Sequence, residues 1–268
     1  MRSVTQRRAG WAAWLAASCL AGCGGFAAFA SRYPDNEPDQ VGALLERLDA
    51  AAPREAVPIA VGVTPAPMKL FAYHLQTRRV LWQVPVAARF EPFLAGRTVV
   101  VQETQAVAGY DLATGQRTFS VDPEDMILNG ADGAGDAVVF TLTRGLGTLA
   151  DSEVVLVEDG SVSWRREFER QVGSPAIVGS AVLVPWGTQF LSALDLDNGK
   201  EFARIRVRDG VIAHAFADTS GVYLGSQHGV TRVTASVGSG TLKGSGYLSL
   251  PDRELPGQPL FLRDVYLP

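Results

Sequence analysis

Short apolar runs alternate with glycine-containing turns from residue 68 onward. The runs are rich in β-branched residues, and four of them are Thr98–Val101, Ala137–Phe140, Ala181–Val184 and Val222–Leu224. A small-residue turn precedes each run, and its glycines, at positions 96, 135, 179 and 221, are 39, 44 and 42 residues apart. Continuous apolar runs bounded by turns predict strands that are covered on both faces. A period of about 40 residues predicts a repeated β-sheet unit.

A second marker, the pattern Asp-x-x-x-Gly, keeps the same period. Asp111–Gly115 and Asp195–Gly199 are 84 residues apart, and weaker copies lie at Leu156–Gly160 and Tyr73–Arg78. This pattern favours a hairpin turn, because the Asp accepts backbone N–H bonds and the Gly takes positive φ. An aromatic residue stands four positions after the turn glycine or its equivalent at Trp82, Phe119 and Trp164. In the fourth copy Ala203 takes that place, and Phe202 precedes it.

Repeated four-stranded units of this length predict an all-β fold, a β-propeller whose sheets are its blades. Helical repeats are excluded because the units lack helical spacing. Residues 68–250 accommodate four to five blades, which leaves an incomplete or truncated ring. Three explanations stay open: the sequence is a fragment, degenerate blades lie in the preceding segment, or a partner completes the ring.

The N-terminal segment has the features of an export signal. Arg2, Arg7 and Arg8 precede an apolar run, 9–20, which is shorter than the roughly 20 residues that a membrane-spanning helix needs. The next residues, Leu20-Ala21-Gly22-Cys23, resemble the lipobox of bacterial lipoproteins. The resemblance implies that residues 1–22 are removed and that Cys23 is the lipid-attachment site. An ordinary signal peptide with an incidental cysteine, or an anchoring helix running on through Phe29, is the alternative.

The same resemblance indicates a location. Gly24, not Asp, follows Cys23, and by the sorting rules of Gram-negative lipoproteins this implies the outer membrane, on its periplasmic face. Several acyl chains hold a protein stably on a bilayer, whereas one chain holds it weakly. Cys19 lies inside the signal, so the mature chain would retain neither a free thiol nor a disulfide.

Residues 23–67 are predicted to be a lipidated tether with a short helix. Val41, Leu44, Leu45 and Leu48 form one apolar stripe of a helix over residues 39–51. This helix is expected either to lie on the domain or to dock on a partner. At the other end, residues 251–268 form a tail whose repeat character is too weak to predict a structure.

The repeats resemble a known family. Ser174-Pro175-Ala176-Ile177 followed by a Gly turn and a strand, and then Leu191-Ser192-Ala193-Leu194-Asp195 closed by Gly199, are similar to the PQQ-like β-propeller repeat. Together with the lipobox, this architecture resembles the propeller lipoproteins of outer-membrane barrel assembly. The resemblance implies a propeller scaffold in the cell envelope.

Composition and charge argue against several kinds of partner and metal site. The net charge is −4 and no basic block lies beyond the extreme N-terminus, so nucleic acid is not an expected partner. Three His and two Cys are too few for a zinc site of the usual spacing. Asp195, Asp197 and Asn198 lack the acidic residue that would complete a calcium loop, and they are interpreted as turn residues. His214 and His228 are interpreted as surface, blade-edge or turn residues.

Quinone-dependent dehydrogenases share this repeat. By resemblance they require a calcium site, a catalytic Asp, a stacking Trp and often a vicinal disulfide, and no such set is matched in this chain. We therefore expect no cofactor, no metal and no catalysis, and predict a lipid-anchored scaffold that binds an envelope protein. The candidate contacts are Arg144, in the loop 144–151, and Trp186 and Gln189, in the loop 186–189. A quinone-dependent enzyme and a ligand-binding or sensing propeller are the alternatives.

Overall fold

A computed structural model describes residues 43–44, 46–47, 58–146, 149–187, 189–206, 213–218, 221–226, 229–236, 241–249, 260–262 and 265–267. The signal peptide, Cys23 and His228 lie outside the described residues, as does most of the predicted tether. Ala43, Leu44, Glu46 and Arg47 are helical, within the span where the apolar stripe predicts a helix. Strands dominate the rest of the described chain.

The strands form successive antiparallel sheets. Sheet 1 contains β1 (Ile59–Pro65), β2 (Met68–His74) and β3 (Arg79–Pro85). Sheet 2 contains β4 (Phe93–Ala95), β5 (Thr98–Gln102), β6 (Val107–Asp111) and β7 (Arg117–Val121). Sheet 3 contains β8 (Ile127–Ala134), β9 (Ala137–Arg144), β10 (Asp151–Glu158) and β11 (Ser161–Phe168).

The remaining strands continue the series. Sheet 4 contains β12 (Ala176–Val178), β13 (Ala181–Trp186), β14 (Phe190–Asp195) and β15 (Glu201–Arg206). Sheet 5 contains β16 (His214–Asp218), β17 (Gly221–Ser226), β18 (Gly229–Ser236) and β19 (Thr241–Ser249). A further hairpin contains β20 (Leu260–Leu262) and β21 (Val265–Leu267), within the predicted tail.

Each complete sheet is a meander of four consecutive strands, and its first strand is innermost. The first strands β4, β8, β12 and β16 contact one another in series. Between sheets 4 and 5, Ser174 and His214 form a parallel bridge, in which the Ser174 amide donates to the Ala213 carbonyl at 2.9 Å. Radially arranged four-stranded meanders are the blades of a β-propeller. The predicted fold is confirmed, with four complete blades and a three-stranded one.

Sheet 1 begins earlier than the sequence pattern predicts. β1 occupies residues 59–65, inside the segment interpreted as tether, so the start of the repeats at residue 68 is wrong. Ile59, Val61 and Val63 alternate along β1 and pack against the core that sheets 1 and 2 share. Prolines at positions 58, 65 and 67 flank this strand and obscured its alternation. By its turn, β3 corresponds to the fourth strand of a complete sheet.

The turn between the third and fourth strands has the predicted chemistry. Arg78, Gly115, Gly160 and Gly199 occupy the same turn position with φ of 55, 71, 78 and 67°. In sheet 2 the Asp111 carboxylate accepts the Thr114 hydroxyl at 2.7 Å and the Thr114 amide at 2.8 Å. The Thr114 hydroxyl bond is the chief cause of the lowered pKa of Asp111, and it outweighs partial burial.

The periodic aromatic residues join neighbouring sheets. The Trp82 indole of sheet 1 donates to the Leu112 carbonyl of sheet 2 at 2.7 Å, and the Trp164 indole of sheet 3 donates to the Leu196 carbonyl of sheet 4 at 2.8 Å. In sheet 2, Phe119 stacks on Phe140 of sheet 3 with ring centroids 6.2 Å apart. The aromatic marker therefore belongs to the contacts between blades.

Candidate functional site

One face of the propeller carries the loops between second and third strands together with the links between sheets. In an antiparallel meander, the loops from second to third strand emerge at the same end as the links from one sheet to the next. This end, here called the loop face, includes loops 103–106, 145–150 and 187–189 and links 86–92, 122–126 and 169–175. Propeller sheets fix these connections rigidly, and binding residues concentrate on loops that a rigid scaffold positions.

The loop after β9 exposes two leucines. Leu146 is 83% exposed and Leu149 is 88% exposed, the highest values among the described large apolar residues. Gly145 starts the loop with φ of 82°, and the Leu149 amide donates to the Leu146 carbonyl at 3.3 Å. The loop at 145–150, here called the leucine loop, therefore presents two apolar side chains, those of Leu146 and Leu149, to solvent.

Charged residues flank the leucine loop, and two further apolar residues are exposed on the loop face. Arg144 forms a 3.5 Å ion pair with Asp151 across the base of the loop, with its side chain 53% exposed. Its guanidinium also donates to the Glu124 carbonyl at 3.4 Å. Phe90 and Ile127, 42% and 44% exposed, lie on the same face, in a link and at the start of β8. The structure thus places Arg144 at the base of the leucine loop, and its role as a contact residue stays a prediction.

Trp186 and Gln189 have other surroundings than predicted. Trp186 is only 5% exposed, stacks on Phe190 with centroids 4.8 Å apart, and donates its indole N–H to the Ser192 hydroxyl at 2.8 Å. Because its ring is packed inside the protein, the prediction that Trp186 anchors a partner is wrong. Gln189 is partly buried, and its side-chain oxygen accepts a 3.4 Å bond from Arg206. The length of the loop made this tryptophan look exposed, but it ends a buried strand.

A buried carboxylate lies beside this aromatic pair. Glu201 accepts the Ser192 hydroxyl at 2.6 Å and two bonds from Arg204 at 2.8 and 2.6 Å. Arg166 of sheet 3 adds a 3.2 Å bond. Burial pushes the pKa of Glu201 upward, but the bonds from Arg204 and Ser192 outweigh it, so the pKa lies below the ordinary value. The bond from Arg166 to Glu201 joins sheets 3 and 4. Sequence reasoning missed these groups because tertiary structure alone brings them together.

The histidines are in separate places. The His74 ring nitrogen accepts the Thr77 amide at 3.3 Å, which is a turn role. His214 begins β16, the innermost strand of sheet 5, and among the described residues its buried Nδ1 has no hydrogen-bond partner. Burial lowers the pKa of His214. The buried Ser174 hydroxyl oxygen likewise has no partner within the part of the chain that the structure describes.

No group of three His, Cys, Asp or Glu residues in the described part of the chain is arranged to hold a metal ion. In the same part, no helix combines the length and apolar character needed to cross a membrane. Asp195 bonds within its turn, accepting the Asp197 amide at 3.2 Å, as its interpretation as a turn residue predicts.

Comparison with known proteins supports the fold. Neither a protein-family model nor a curated protein sequence matches the chain. Among solved structures, the chain is similar to the β-propeller domain of Cps50 (Swd1) from Myceliophteria thermophila, with a TM-score of 0.51 and 14% sequence identity. The alignment covers 74% of this chain and 71% of that one. At this identity the likeness shows a shared propeller architecture.

Proposed function

We propose that this protein is a lipid-anchored, non-catalytic propeller of the bacterial envelope, a scaffold that binds a protein partner through its loop face. The exposure of Leu146 and Leu149, 83% and 88%, carries the proposal. Contiguous apolar side chains on a surface mark interaction sites more than scattered ones do. Desolvating two leucines gives an apolar centre, and the surrounding charges of Arg144 and Asp151 give a polar rim.

The anchor and the location are argued from the sequence. The resemblance of Leu20-Ala21-Gly22-Cys23 to a lipobox supports acylation of Cys23, and Gly24 after it supports sorting to the periplasmic face of the outer membrane. The resemblance to PQQ-like repeats is supported by the shared geometry of the Asp, Gly and aromatic positions in successive sheets. An envelope protein is therefore the proposed partner, and an outer-membrane barrel under assembly fits the architecture.

The non-catalytic part rests on how the polar groups are used. The Glu201 carboxylate is engaged by Arg204 and Ser192, and Asp195 by Arg47 at 2.9 Å. A general acid or base needs a poised group that can reach a substrate. These carboxylates are instead committed to holding strands and turns together, which favours a structural role.

Site-specific crosslinking in intact cells tests the contact. A photoreactive residue at position 146 is expected to give one adduct of defined mass, and the same residue at position 162 is expected to give none. Val162 is a matched control because it is 41% exposed but lies beside the opposite turn. The double variant Leu146→Ser/Leu149→Ser, with a crosslinker at position 144, is expected to lose the adduct while the melting temperature stays unchanged. Equal labelling at 146 and 162, or an adduct that survives the double variant, contradicts the proposal.

The anchor has its own test. Cys23→Ala is expected to move the protein from the membrane pellet to the soluble fraction, since the acyl chains supply the membrane affinity. Intact mass of the wild type from membranes reports acylation. A wild-type mass without acyl chains removes the lipoprotein part and leaves the protein contact to be judged by crosslinking.

A further inference from the structure

The junction between sheets 4 and 5 differs from the others at one repeated position. In sheets 1 and 3 this position holds Trp82 and Trp164, which fill the space toward the next sheet and bond its backbone. In sheet 4 it holds Ala203, which pairs with Ala193 across a β-bulge as Trp164 pairs with Leu156. An alanine side chain is much smaller than an indole, so another group has to fill this part of the junction at the packing density of a protein interior.

The N-terminal helix supplies that group. Leu44 is 0% exposed and belongs to the core cluster that contains Ala203 and Ile205 of sheet 4. Ala215, Val222 and Leu224 of sheet 5 complete the same cluster. Leu44 therefore packs into the junction on the side where the other sheets place an indole ring.

Arg47, one helical turn after Leu44, binds the helix to sheet 4. Its guanidinium forms a 2.9 Å ion pair with Asp195, donates to the Ser180 carbonyl at 3.3 Å and lies 4.0 Å from the centre of the Phe202 ring. Asp195 and Ser180 belong to turns on the side opposite the loop face. Residues three positions apart lie on the same face of a helix, so Leu44 and Arg47 dock together.

We infer that the junction of sheets 4 and 5 is a docking groove for an amphipathic helix with Leu and Arg three residues apart, and that the chain's own helical residues Ala43, Leu44, Glu46 and Arg47 occupy it. Alanine at position 203 opens the groove, and Asp195 and Phe202 select the arginine. The ten residues between Arg47 and Pro58 reach at most about 36 Å. Through Leu44 and Arg47, the helix therefore holds the segment before sheet 1 against sheet 4. The groove lies apart from the loop face, so this inference stands without the proposed function.

Hydrogen exchange of the full chain tests whether Leu44 fills the groove. Leu44→Ala is expected to speed exchange of the amides at 43–47 about tenfold or more, because a fully buried leucine is lost. Ala203→Trp is expected to speed hydrogen exchange of the same helix amides, because the indole would fill the groove. The exchange rates of amides in sheet 2 are expected to stay unchanged. Glu46→Ala is the control, since Glu46 is exposed on the same helix. Helix amides that keep their wild-type rate in Leu44→Ala overturn the inference.

If Ala203→Trp fails to fold, swapping the charges of the Arg47–Asp195 ion pair gives a second test. Arg47→Asp and Asp195→Arg are each expected to speed helix exchange, and the double variant is expected to restore protection. A synthetic peptide of residues 39–51 is expected to bind the Leu44→Ala chain saturably and the wild-type chain much more weakly. The same peptide carrying Leu44→Ala is expected not to bind. Equal binding of both peptides, or no recovery in the charge exchange, shows that the groove does not recognise this helix.

Discussion

Gly199 shows at the residue scale how a turn can carry a contact between blades. Its φ is 67°, and a Cβ added there would lie 2.7 Å from the Trp164 ring. Gly115 has the same relation to Trp82, with a distance of 2.6 Å. Because glycine has no side chain, this position allows both the positive φ of the turn and the close approach of the neighbouring sheet's indole.

Replacing two turn glycines separates these roles. Gly135→Ala is expected to lower the free energy of unfolding by about 1–2 kcal/mol, from positive φ alone. Gly199→Ala is expected to lower it by an additional ~1–3 kcal/mol, because the new Cβ clashes with Trp164. The pair is matched because Gly135 has φ of 59° and nothing within 4 Å of the added Cβ. Urea denaturation measures both, and equal losses would show that the indole contact adds nothing.

At the scale of elements, Gln102 joins β5 to the start of the next sheet. Its side chain is fully buried, its amide nitrogen donates to the Met126 carbonyl at 2.8 Å, and its oxygen accepts the Leu128 amide at 2.9 Å. Buried backbone groups need partners, and this amide supplies one to Met126, at the end of the link before β8, and one to Leu128, within β8.

Removing this amide is expected to destabilise the joint between sheets 2 and 3. Gln102→Leu keeps the volume and leaves a donor and an acceptor unpaired, which costs about 2–4 kcal/mol in the free energy of unfolding. Gln102→Glu retains the acceptor, and burial disfavours its charged form, so its stability is expected to improve as the pH falls. Chemical denaturation at neutral and mildly acidic pH measures both effects. A Gln102→Leu variant as stable as the wild type would contradict this assignment.

At the scale of the whole molecule, the first loss of stability on acidification is expected to come from His214, in the innermost strand of sheet 5. Burial holds the pKa of His214 below its ordinary value of 6.5, so the unfolded chain binds a proton that the folded chain excludes. Stability is therefore full above pH 6.5 and falls as the pH drops from there toward the folded pKa. The lowered pKa of Glu201 acts in a separate window, because its stabilising charge is lost only below its ordinary value of 4.5.

His214→Gln tests the upper window. The wild type is expected to lose stability as the pH falls below 6.5, whereas the variant is expected to lose less, since it has no proton to gain at this position. Thermal melts across this range measure the difference. His74→Gln is the control, because His74 ends β2 of sheet 1 and is only partly buried, away from the innermost strands. Parallel curves for the wild type and His214→Gln would show that His214 contributes nothing to acid sensitivity.

The amino-acid sequence alone determined the repeat, its period and its turn chemistry, because hairpin turns and buried strands depend on residues close together in the chain. The Asp111–Gly115 turn and the strand after Gly96 were predictable for that reason. β1 was missed, since flanking prolines hid its short alternation. Only the tertiary structure decided which side of a strand faces a neighbour. It buried Trp186, exposed Leu146 and Leu149, and placed Leu44 in one core cluster with Ala203, because packing between elements depends on residues that the local sequence pattern does not relate.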